Sequence, residues 1–368
     1  MIIRTLSTPP NPLYAPRTWN RTAAQIGDSL DQSAADKFYY YGSYGRWLTP
    51  QEGSNGRLTL PWNGYGSWPI YKASDATTTI PVWWYTYDVG PAGEGMGEEI
   101  PWNPAWIPSE QDDHGLLIDL DDNGERGEGY ELWSCFGTST RPWVFDFLDS
   151  LQPVYSRGWR YGDLLTGTIV KRTKENVGAY IGRGAGMLAK RSMILTAEEV
   201  QDAISGDGFV HHALAGVGVN YHAGSYAETN ELWVAPASRI EHPEGQPVGV
   251  ADNIPDSPDS NLFPEGTRFY LNIDDAGIEE WLDSRSYSGA IRDTARVIAK
   301  TLAVYGWIHV ETGTGEPQIE CDPIGPGYPS SSTWTTLGLT SSTLAANLLD
   351  DLITSSNLVV CNPEIVRP

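Results

Sequence analysis

The side chains of this 368-residue chain that could do chemistry are a set of histidines, several carboxylate pairs and one acidic turn. His114 follows Asp113, and with Glu131 it could supply an acid and a base near a sugar. His212 opens a strand-like His-Ala-Leu-Ala-Gly-Val segment. On a strand His211 and His212 face opposite sides, so one of them could look into a cleft. Tyr221 and His222 could complete a lyase-type base pair. If the chain is an enzyme, His114, Glu131 and His212 are the catalytic candidates. The plain alternative for each histidine is a hydrogen-bonded structural role.

The acidic turn is Asp119-Leu-Asp-Asp-Asn-Gly-Glu-Arg-Gly-Glu-Gly. Asp119, Asp121, Asn123 and Gly124 match the opening of a calcium-binding EF-hand loop. Its closing Glu belongs at position 130, which is Tyr, and Glu131 is one place late. Calcium is therefore the one cofactor the sequence suggests, and a solvated hairpin turn accounts for the same residues. Carboxylate pairs recur at Glu98-Glu99, Asp112-Asp113, Asp274-Asp275 and Glu279-Glu280. Glycosidases need two carboxyls at a set separation across a cleft. With 47 acidic residues, chance pairs on a solvated surface are expected. Gly-x-Ser-x-Gly is absent, and Arg183-Gly-Arg-Gly-Ala-Gly lacks the Lys-Ser/Thr ending of a phosphate loop.

Aromatic residues form a second kind of candidate. The chain has 15 Trp and 19 Tyr but 7 Phe. Trp and Tyr carry a polar handle on an apolar body, which suits half-wet surfaces and sugar faces. Trp83, Trp84, Tyr85 and Tyr87 lie on one strand candidate, and Trp102 and Trp106 lie in the Gly/Pro/Trp loop expected over 90–108. These six are the glycan-binding candidates. Core packing is the competing role, because one strand face must be buried.

The elements that position these groups are mostly short strands. The strand candidates are Arg57–Leu60, Trp68–Tyr71, Ile80–Val89, Phe209–Val219, Glu231–Ala235, Arg268–Ile273, Trp307–Glu311 and Asn357–Cys361. Leu116–Ile118 and Tyr130–Trp133 form a hairpin around the acidic turn. Prolines 9, 10, 12 and 16 make residues 1–20 an extended arm, and residues 21–368 read as one domain. A short helix is expected over Ser29–Phe38. Thr196-Ala-Glu-Glu199 is a capping box that opens a helix near 196–204. Ile291, Ala295, Ile298 and Leu302 mark a long helix over 288–305, closed by Gly306 and expected across a sheet edge or end. A last helix is expected over 342–353. Short strands, frequent turns and a few covering helices predict a mainly β fold, a jelly-roll or lectin/glucanase-like β-sandwich.

Bulk properties narrow the partners. The net charge is −23, with 24 basic side chains, which argues against nucleic acid and against anionic membrane surfaces. The first twenty residues read as neither signal peptide nor membrane span, and no membrane span is expected elsewhere. Cys135, Cys321 and Cys361 are too few and too scattered for a disulfide scaffold, although one disulfide plus a free thiol fits the count.

Several segments, taken in order, carry a resemblance. They are Gly66-Ser-Trp-Pro-Ile-Tyr, Asp113-His-Gly-Leu-Leu-Ile-Asp, Tyr130-Glu-Leu-Trp, Ile194-Leu-Thr-Ala-Glu-Glu-Val, His212-Ala-Leu and Phe263-Pro-Glu-Gly-Thr-Arg-Phe, followed by Ala295–Gly306 and Leu348–Val360. In that order the chain resembles a broad, mostly uncharacterised group of bacterial secreted β-sandwich proteins and minor tail proteins of phages infecting Actinobacteria. The resemblance implies the sandwich fold and no established chemistry. The expected role is a minor tail-tip protein of a virion, oligomeric or within a larger assembly. Its partners would be other tail proteins and host cell-wall polysaccharide. The alternative is an extracellular polysaccharide lyase or glycoside hydrolase, and a third reading is a secreted lectin domain.

Overall fold

A computed structural model describes residue 22 and residues 58–63, 66–83, 99–109, 115–119, 129–136, 165–172, 193–218, 266, 268–312, 317–354 and 356–360. The arm over 1–20, the helix expected over 29–38, the strand over 231–235 and most of the acidic turn lie outside the described residues.

The described strands form two sheets with five short helices. The first sheet contains β1 (Ile70–Lys72), β2 (Thr78–Trp83), β3 (Glu99–Trp102), β4 (Leu116–Asp119), β5 (Gly129–Phe136) and β6 (Leu165–Arg172), in the order β1-β4-β5-β6-β2-β3. The hairpin expected from the sequence is present: β4 and β5 pair antiparallel, with Leu116 opposite Leu132 and Ile118 opposite Tyr130. β1 joins β4, and β2 joins β6, in parallel.

The second sheet contains β7 (Leu214–Gly218), β8 (Arg268–Leu271), β9 (Trp307–Thr312), β10 (Gln318–Ile319) and β11 (Leu358–Val360), in the order β10-β7-β9-β8-β11. β7 and β9 are parallel and the other pairs antiparallel. Three parallel pairings make both sheets mixed, which departs from the all-antiparallel ladder of a jelly roll.

The helices are α1 (Ala197–Ser205), α2 (Asp275–Ser284), α3 (Ala290–Val304), α4 (Ser331–Thr336) and α5 (Ser342–Asn347). α2 and α4 were not expected, and α5 is shorter than the 342–353 expectation. α3 does not lie across a sheet edge. Its buried Ala295, Ile298 and Leu302 share one core with Leu214, Phe269, Trp307, Ile319 and Leu358, which come from all five strands. The helix therefore covers a sheet face, as its apolar stripe requires. Phe269 and Trp307 are register partners and stack at 5.2 Å between centroids. Gly306 ends the helix at φ +70°, and a Cβ there would fall on the Phe269 carbonyl, so no other residue fits.

Buried hydroxyls in this core are matched. Thr301 donates to Val297 O at 2.8 Å and accepts from Val210 N–H at 2.9 Å. Thr294 donates to Leu337 O at 2.8 Å. On the outside, Glu279 of α2 receives Arg292 and Arg296 of α3 at 2.8 and 2.5 Å.

The two sheets are tied by residues 58–63 and 66–69. Thr59 bridges to Gln318 and Ser67 to Cys321, and Leu117 N–H then donates to Pro69 O at 2.9 Å. Trp68, Leu117 and Ile194 pack together at this junction.

Candidate functional site at the start of helix α1

The segment leaving β10, Glu320-Cys-Asp322, carries acids into the interior. Leu195 and this segment exchange backbone bonds: Leu195 N–H donates to Glu320 O, and Asp322 N–H to Leu195 O, both at 3.0 Å. That pairing sets Asp322 beside the first turn of α1. Its carboxyl Oδ1 accepts from the Ala197 N–H at 3.1 Å and from the Trp334 indole N–H at 2.6 Å. A free N–H of a helix first turn is a natural donor to a carboxyl.

α1 begins with the capping box expected from Thr196 and Glu199. Glu199 N–H donates to Thr196 Oγ1 at 3.3 Å, and Thr196 N–H donates to Glu199 Oε2 at 3.2 Å. The other oxygen, Glu199 Oε1, lies 3.2 Å from His212 Nε2. His212 Nδ1 lies 2.8 Å from Ala213 O. Both ring nitrogens thus face oxygen atoms of neighbouring groups. His212 is 6% exposed and Asp322 6% exposed.

Burial is the main reason the Asp322 carboxyl holds its proton up to about pH 7. The Trp334 and Ala197 bonds oppose the shift, and the Glu199 carboxylate adds to it. Burial likewise pushes His309, on β9, down to about 3, so its imidazole is neutral at ordinary pH. The Cys321 thiol is free and buried, and burial raises it well above its usual range, which makes it a poor nucleophile.

The other candidates fall elsewhere. His211 is on the surface, paired with Asp207 at 3.1 Å. Glu131 sits on β5 opposite Leu117 and Val170. His114, His222, Trp84, Tyr85, Tyr87, Asp121 and Asn123 lie outside the described residues, and Trp83 closes β2. Asp119 ends β4, opposite Lys72 and Gly129. Among the described residues no three His, Cys, Asp or Glu side chains group as metal ligands. No described helix is long and apolar enough to cross a membrane.

Trp102 and Trp106 need a correction. They do not share a loop: Trp102 belongs to β3, and both rings are buried, at 3% and 4% exposure. Trp106 stacks on Tyr71 at 4.9 Å and meets Trp102 edge-on at 5.6 Å. Tyr71 Oη donates to Ile107 O and accepts from Ile107 N–H, each at 2.9 Å, pinning the chain that carries Trp106. These rings fill the core of the first sheet with Ile100, Leu116 and Ile118. A sugar cannot stack on them as they stand.

Asp322 and Glu199 were not among the expected catalytic groups. For Asp322 the signal was a pair of acids, Glu320 and Asp322, inside the stretch Pro317-Gln-Ile-Glu-Cys-Asp-Pro-Ile324. Such acids must be partnered when the stretch is buried. No protein-family model matches the chain, and no curated protein or solved structure is significantly similar to it.

Proposed function

We propose that the chain is a structural component of a phage tail tip, with its two sheets as a sandwich-like frame that docks neighbouring tail proteins and touches host cell-wall glycan. One observation supports the structural role most. His212, Glu199 and Asp322, the described groups best suited to proton transfer, are each engaged in fastening α1 to the sheet. The location rests on the ordered resemblance of the segments between Gly66 and Val360. With Trp102 and Trp106 in the core, glycan contact falls to Trp83, Trp84, Tyr85 and Tyr87. Immunogold labelling of purified particles with antibody against this chain tests the location. Label at one end of the tail supports it. Label absent from particles, with the chain left in the soluble lysate, contradicts it.

A second reading, a lyase or glycoside hydrolase, draws on Asp322. A carboxyl that keeps its proton near neutral pH beside a second carboxylate is suited to general acid catalysis. Release of sugar from cell-wall polysaccharide, lost on D322N, would favour it over the structural role.

A further inference from the structure

We draw no further inference here: the strongest candidate, the side-chain cluster between α1 and β7 where Asp207, Phe209 and His211 gather beside Tyr305, is accounted for by the Asp207–His211 ion pair and by the packing of its rings, and nothing in the structure points to a ligand for it.

Discussion

The Trp334 indole N–H lies 2.6 Å from Asp322 Oδ1 and 3.2 Å from the Asp322 main-chain oxygen, so one donor grips both the side chain and the backbone of the same residue. Trp334 is fully buried in the helix-covered core. That ring joins Asp322 to the helix-covered core.

Asp322 therefore acts on global stability. Its contribution is fully present below about pH 3.8 and is lost as pH rises to about 7. D322N should be more stable than wild type at pH 8 by a few kcal/mol, an order of magnitude set by the size of the shift. The advantage should shrink toward pH 4. Urea unfolding at both pH values measures it, and a constant difference would contradict it.

His309 gives the opposite slope. Its folded value of about 3 lies below the ordinary 6.5, so its contribution is present above pH 6.5 and is lost as pH falls toward 3. Between pH 4 and 6.5 the two groups offset each other. H309L should steepen the fall of stability with rising pH in that window, because the Asp322 slope is left alone. Unfolding free energies at pH 4.5, 5.5 and 6.5 test this.

Glu279 is held at about 2, chiefly by its bond to Arg296, with a further bond to Arg292. Its support is present above pH 4.5 and lost as pH falls toward 2. The side chain is 42% exposed, so solvent screens the pair. E279Q should cost under about 1 kcal/mol at pH 7 in low salt, and less in high salt. Thermal melts at two ionic strengths measure the difference.

Trp106 is a core residue of the first sheet. W106A should destabilise the protein by about 3–5 kcal/mol, the range for removing a buried aromatic ring. W106F keeps most of the stack on Tyr71 and should cost less. Urea midpoints of the two variants separate packing from surface recognition. A neutral W106A would mean the ring is exposed.

Local chemistry was legible in the sequence, and tertiary chemistry was not. The capping box of α1 and the stripe of α3 are fixed by residues three and four apart, so they could be read directly. The β4–β5 hairpin was equally plain from its two apolar runs. α2 was hidden because Asp274-Asp275-Ala-Gly277 looks like acidic surface. Asp274 is its N-cap, accepting from Gly277 N–H at 2.8 Å, and buried Ile278, Trp281 and Leu282 hold it down. Trp102 and Trp106 stood among Gly and Pro, and packing with Tyr71, Ile100, Leu116 and Ile118 makes them core. Asp322 depends on Leu195, Ala197 and Trp334, two of which are more than a hundred residues away. No spacing rule reaches that far.

In the structural role proposed for the chain, His212, Glu199 and Asp322 hold α1 in place and turn over no substrate. The most direct measurement is sugar release from actinobacterial cell-wall polysaccharide by the purified chain, read as reducing ends and as ultraviolet absorbance of unsaturated products. No release above buffer is expected from wild type, H212N or D322N. Release by wild type that either substitution abolishes, while the variant remains folded, would contradict it.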